Sequence, residues 1–213
     1  MTLRFKPEKL VHALAFFSDA GVADLTKLKA AKLLYFADKK HLLNFGRPIL
    51  GDVYFCLTYG PAPSFALNEM GDAIEKTEVE DVDQNLFRQY LDVNRPYSNS
   101  YPVFKAKQKF DPEVFSDSEL EVLDYVAQNY GGRTARQLVD LTHEELTWKI
   151  ANEFRSPEGR APIPYELFFA GAPEDTKTMF ELYRSQKNEA KEWDEIFNQT
   201  KRLFVSSRTQ LLA

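Results

Sequence analysis

Three histidines, one cysteine and a scatter of acids and serines are the side chains that could do chemistry in this chain of 213 residues. His143-Glu144-Glu145-Leu146-Thr147 opens like a His-Glu-x-x-His zinc motif, in which two histidines one helical turn apart share a face and hold the metal. The second ligand position is Thr147, however, and the other histidines are His12 and His41. A lone Cys56 cannot build a thiolate site. Ser64 with His41 and Asp38, or Cys56 with His143 and Asp140, can be written as nucleophilic triads. Spacing alone does not bring either set together, and no Gly-x-Ser-x-Gly elbow is present. Cys56 lies in an apolar run and reads as an inert core thiol. The expectation is therefore no catalytic residue, no metal and no cofactor, with a pocket around Tyr35, Asp38, His41 and His143 as the form an enzymatic rival would take.

Phosphate chemistry is equally poorly served. Gly46 to Gly51 has the glycines of a cradle but no following helix whose N-terminus could receive an anion. Gly60-Pro61-Ala62-Pro63-Ser64 does precede a helix, yet its prolines remove amide donors. It reads as a rigid strand-to-helix turn, with Pro63 or Ser64 starting the helix. Lys27, Lys29, Lys32, Lys39 and Lys40 do not keep one helical face and read as distributed, solvated charge. Lys32 and Asp38 sit on a largely apolar helix, where a salt link is the simplest expectation.

The elements that must position these residues follow from periodicity. A first helix spans 7–19, with Pro7 in its first turn and Leu10, Ala13, Leu14 and Phe17 on one face. Gly21 stops it. Asp24 or Thr26 caps a second helix running to about Phe45, apolar on nearly all sides and so buried within the domain. Gly46 occupies the left-handed position after a helix, with Pro48 beyond it. Gly51-Asp52 turns the chain into a strand over Val53–Tyr59, and a helix follows over about 64–76. Residues 77–100 are acidic and turn-rich. Leu86–Val93 and Tyr101–Ala106 are expected to pair as antiparallel strands.

Ser116 and Glu119 form a capping box before a helix that Gly131-Gly132 ends. A short helix covers Thr134–Leu141. Thr142 and Glu145 are read as a second box, placing His143 in the first turn of a helix that carries Trp148, in a structural role. Residues 157–173 read as a proline-rich loop with one turn at Tyr165–Phe169. From about Glu174 to Arg208 a long charged helix is expected, with Phe180, Tyr183, Ala190, Trp193, Phe197 and Phe204 as its apolar stripe.

Net charge is −5 and the isoelectric point about 5.4, which speaks against nucleic acid as a partner. The charge is uneven: residues 1–47 hold nine Lys/Arg and four Asp/Glu, whereas residues 66–94 hold eight Asp/Glu and two Lys/Arg. No stretch has the form of a signal peptide or is long and apolar enough to span a bilayer. A cytoplasmic protein in a reducing compartment is expected.

Several blocks together carry a family resemblance. They are Lys32–Asp38, His41, Phe45-Gly46-Arg47-Pro48-Ile49-Leu50-Gly51-Asp52, Tyr54 and Tyr59–Ser64, then Phe115–Asp124, Tyr130-Gly131, Ala135, Leu138 and Leu141–Glu145 with Trp148. Over about residues 8–170 the chain resembles the Panacea domain, the SocA-like antitoxin family of type II-like toxin–antitoxin systems. Departures are small: Ala62 stands where the family often has Val, and Leu146-Thr147 where it often has Pro-Ala.

The resemblance implies a bacterial or phage-borne cytoplasmic antitoxin, encoded beside a toxin and neutralising it by direct binding, phage defence included. The alternative it carries is an adaptor delivering a toxin to a ClpXP-type protease. No enzymatic activity is implied. The expected architecture is α+β and predominantly helical, with a small antiparallel sheet or hairpin and a long C-terminal helix. Residues 1–173 form the antitoxin domain and 174–213 an extension, in which partner choice is expected. Tyr59, Pro63, Ser64, Phe180, Tyr183, Trp193 and Phe197 are the expected partner contacts, with the acidic 77–100 segment beside them. The terminal stripe suits intramolecular packing equally well. Tyr35, Asp38, His41, Gly46, Pro48, Gly51, Asp52, Gly60, Pro61, Ser116, Glu119, Thr142, His143, Glu145 and Trp148 are expected to build the scaffold.

Overall fold

The computed structural model describes residues 4–75, 86–156, 159–173, 177–178 and 181. In chain order the elements are α1 (Pro7–Asp19), α2 (Lys27–Phe45), β1 (Tyr54–Leu57), β2 (Gly60–Pro63), α3 (Ser64–Glu75), α4 (Leu86–Tyr90), β3 (Leu91–Asn94) and β4 (Val103–Ala106). There follow α5 (Asp117–Tyr130), α6 (Ala135–Glu144), α7 (Leu146–Glu153) and β5 (Ala161–Ile163), with short 3-10 turns at Pro112–Val114 and Tyr165–Phe169. This is a helix-dominated α+β fold with small antiparallel sheets, as expected. The long C-terminal helix expected from Glu174 falls almost wholly outside the described residues.

The second helix is the axis of the fold. Thr26 caps α2, its hydroxyl accepting from the Lys29 amide at 3.3 Å, and Gly46 ends it in the left-handed conformation (φ +71°). Both ends therefore obey local sequence rules. Between them Ala30, Leu33, Leu34, Tyr35 and Leu42 are fully buried, because α2 packs against α5, α6, α3 and β2 on different sides. Phe36 stacks on Tyr130 of α5 with ring centroids 4.3 Å apart. Burying each such side chain contributes roughly 1.5–3 kcal/mol.

The sheet corrects two expectations. Gly60–Pro63 is not simply a turn: it forms β2, paired antiparallel with β1 from Tyr54↔Pro63 to Leu57↔Gly60. The reversal is Thr58-Tyr59. Prolines tolerate this strand because β2 lies at the sheet edge, where no outer neighbour needs an N–H. Residues 161–163, expected to be loop, form β5 on the other side of β1, with Tyr54↔Ile163 and Cys56↔Ala161 in register. Proline-rich composition hid a strand whose pairing is wholly long-range.

Leu86–Tyr90 is helical rather than the start of a strand; only Leu91–Asn94 pairs with Val103–Ala106. Phe87 is buried within that single turn of α4, with Phe104 of β4 at 6.1 Å between ring centroids.

The helical region from 117 to 153 contains a further correction. Thr142 does not cap a new helix. It lies inside α6, its hydroxyl donating to the Val139 carbonyl at 2.8 Å. His143 therefore belongs to the last turn of α6, and Glu145 is the N-cap of α7 without a side-chain capping bond. The box at the start of α6 is Thr134 with Gln137, each bonding the other's amide, at 3.2 and 2.9 Å.

Candidate functional site

Two buried carboxylates organise the segment between α2 and α3. Asp38 projects from α2 and accepts the Ile49 and Leu50 amides, both at 2.8 Å, and the Tyr54 hydroxyl at 3.0 Å. Asp52 accepts its neighbour Val53 at 2.6 Å, and Phe65 and Ala66 at 2.9 and 2.8 Å. Phe65 and Ala66 open α3, so Asp52 caps that helix from twelve residues upstream. Burial pushes Asp38 up to about 6 and Asp52 up to about 7, against the pull of those hydrogen bonds. The expected salt link between Asp38 and Lys32 does not form. Backbone groups satisfy both.

His41 and Glu119 make a second junction. His41 Nδ1 lies 2.6 Å from the Arg47 carbonyl, which can only accept, so Nε2 accepts from Ser118 Oγ at 3.1 Å. That is a neutral imidazole, and burial holds its pKa down at about 4. Glu119 of α5 is fully buried and receives Lys9, Arg47 and the Ser116 amide. Burial alone would raise it; the bonds from Lys9, Ser116 and Arg47 outweigh that and bring it to about 2. Arg47 also reaches Ser116 Oγ at 3.0 Å. With His41 and Asp38 committed to these partners, and the Ser64 hydroxyl buried without a hydrogen bond, the Ser64–His41–Asp38 triad is not assembled. The Cys56 thiol is buried, and burial raises its pKa. Among the described residues no three His, Cys, Asp or Glu side chains gather as a metal would require.

A third junction joins α2 to the α6–α7 corner. Tyr35 donates to Glu145, which pairs with Lys39 at 3.0 Å. His143 stacks on Trp148 at 4.0 Å between centroids. Two lysines expected to be solvated are buried. Lys29 donates to the carbonyls of Ala23 and Gly131, at 2.6 and 2.8 Å, tying the end of α5 to the loop before α2. Lys32 is 1 % exposed and donates to the Pro61 carbonyl at 2.7 Å; burial lowers it to about 7. The pattern that betrays them is a lysine on a helix apolar all round.

Tyr35, Asp38, His41 and His143 thus belong to separate interactions rather than one shared cluster. Gly46, Gly51 and Gly60 all have positive φ. Pro48, Gly51 and Pro61 are buried parts of these junctions.

The expected partner contacts divide. Tyr59 is exposed at 60 %, whereas Ser64 is 4 % exposed and Pro63 is buried. Pro63 sits within β2 and Ser64 begins α3 against the core. Phe180, Tyr183, Trp193 and Phe197 lie outside the described residues. In the 77–100 stretch residues 76–85 also lie outside, and Tyr97 is exposed.

One exposed apolar stripe is absent from the sequence-based expectations. Leu146, Ile150 and Phe154, four residues apart along α7 and its C-cap, are 50 %, 37 % and 74 % exposed. The adjoining face of α7 buries Thr147 and Ala151. Arg155, next to Phe154, donates to Thr58 Oγ1 at 3.1 Å, which ties the end of α7 to the turn that carries Tyr59. The four-residue spacing was the available signal.

The fold is thus a helix-built scaffold whose buried ionisable groups serve its junctions and which carries an exposed apolar stripe on α7. A family model, "Antitoxin SocA-like, Panacea domain", matches residues 31–149, more than half of the chain. The chain belongs to that family, and membership supports an antitoxin role and a protein partner in general terms. No curated protein and no solved structure matches it. The matched segment spans α2 to α7 and leaves out α1 and β5, which share the same core. No described helix is long and apolar enough to cross a membrane.

Proposed function

We propose that this chain neutralises a cognate protein toxin in the cytoplasm by direct, stoichiometric binding, doing no chemistry of its own. The observation that carries the reading is the exposed apolar stripe of Leu146, Ile150 and Phe154, with the turn that carries exposed Tyr59 tied to the end of α7 through Arg155. Apolar side chains gathered on one helix face and rimmed by charge mark interaction sites rather than ordinary surface. Lys149 and Glu144, paired at 2.8 Å, and the Arg155 guanidinium supply that rim. An aromatic anchor next to an aliphatic stripe is the composition found at the energetic centre of protein interfaces. Family membership supplies the class of occupant, a toxin.

The test is co-expression of the chain with the product of its adjoining reading frame, followed by inhibition of the purified toxin without protease or ATP. Wild-type chain restores growth and inhibits one-to-one. The Ile150→Asp, Phe154→Asp double variant folds but fails in both assays. A folded double variant that still neutralises would sink this surface. Inhibition that needs a protease and ATP would replace direct neutralisation by delivery to a ClpXP-type protease.

A further inference from the structure

The hairpin that carries Tyr59 is held by hydrogen bonds from two helices. Trp148 of α7 donates its indole N–H to the Leu57 carbonyl at 3.4 Å. From below, Lys32 of α2 holds the Pro61 carbonyl. Lys32 is the unusual member, since it is buried and no carboxylate pairs with it among the described residues. A buried ammonium without a counter-charge is a poor stabiliser, and an apolar side chain of the same length serves a core as well or better. What the lysine provides is a donor to a carbonyl on an edge strand. Gly60 shows how close the fit is. Its φ is +93°, and a Cβ there would lie 2.8 Å from Lys32 Nζ and hard against Thr142 Oγ1. The strand end is thus pinned at two successive residues.

We infer that Lys32 is a positioning residue for the interaction surface: by holding the Pro61 carbonyl beside the close-packed Gly60, it fixes the Thr58-Tyr59 turn from which the exposed Tyr59 ring projects. The inference rests on the proposed toxin-binding surface. Order in the turn before binding lowers the entropic cost of burying the tyrosine in a complex.

The experiment uses the full chain and the variants Lys32→Met, Tyr59→Ala and their combination. Amide hydrogen exchange is read in the free protein, and affinity is read against a purified, activity-dead product of the adjoining reading frame. Lys32→Met folds with an unchanged or higher urea midpoint, while exchange at Leu57 and Gly60, which pair across the turn, accelerates by about tenfold, the scale of one hydrogen bond. Its affinity falls by a similar factor. In the Tyr59→Ala background the same substitution costs no further affinity, because the group it positions is gone. Unchanged exchange in the turn, additive losses of affinity, or a Lys32→Met chain that cannot fold would each overturn the inference. A Tyr59→Ala chain that binds as tightly as wild type strikes instead at the surface itself, and leaves the exchange result to judge the clamp alone.

Discussion

Two neighbouring loops of this protein use buried charge with opposite sign. In the 46–53 loop carboxylates collect backbone N–H groups: Asp38 takes Ile49 and Leu50, and Asp52 takes Val53, Phe65 and Ala66. At the β1–β2 turn the donors are side chains and the acceptors are backbone carbonyls, Lys32 on Pro61 and Trp148 on Leu57. The difference follows from what each loop leaves unsatisfied. The first is an irregular turn whose Asp52 also reaches the N-terminus of α3, and both are rich in orphan amides. The second leads into a strand with two prolines, which offer carbonyls and no amides. Their fates differ too: Ile49 and Leu50 are each 1 % exposed, whereas Tyr59 stands 60 % exposed. Buried charge here orders backbone. One loop is ordered to close the core, and the other to present a side chain.

If that contrast is right, removing an acid should damage the fold far more than removing a surface apolar group. The largest effect is expected for Asp52→Ala, which strands three amides, two of them at the start of α3. It should lower stability by about 3 kcal/mol or more, each unsatisfied buried donor costing roughly 1–3 kcal/mol. Urea denaturation followed by far-ultraviolet circular dichroism measures it. A loss below that of an ordinary surface substitution would dissolve the distinction between the loops.

Glu119→Gln comes next, at about 2 kcal/mol near neutral pH. The folded carboxyl sits at about 2 against an ordinary 4.5, so its contribution is complete above 4.5 and is lost as pH falls toward 2. Urea midpoints measured from neutral pH down into the acid range should therefore fall less steeply in the variant. Equal slopes would place the Lys9 and Arg47 contacts outside the stability of the junction.

The smallest effect on stability is expected for Phe154→Asp alone, within about 0.5 kcal/mol. A clearly larger loss by thermal melting would show that the α7 stripe is packed and not free for a partner.

Much of the scaffold is legible in the order of residues. Thr26, Gly46 and the Ser116–Glu119 box act through bonds a few residues apart, so their residue types alone predict where helices begin and end. The box read at Thr142 and Glu145 shows the limit. Its spacing fits the rule, but α6 continues through Thr142, and Glu145 is drawn away to Tyr35 and Lys39. A local pattern loses when a long-range partner competes for the same side chain.

Helical periodicities, caps, the lack of a metal or nucleophile motif and the family blocks are all written in the chain itself, because each depends on near neighbours. Folding in three dimensions was needed to bury Lys29 and Lys32, to turn Pro63 and Ser64 inward, to complete a sheet with Ala161–Ile163, and to tie the turn that carries Tyr59 to the end of α7. Burial and strand pairing depend on residues far away along the chain, as with Cys56 and Ala161 in register across the sheet. Such contacts leave no period in the sequence, since the energy that selects them belongs to packing between elements.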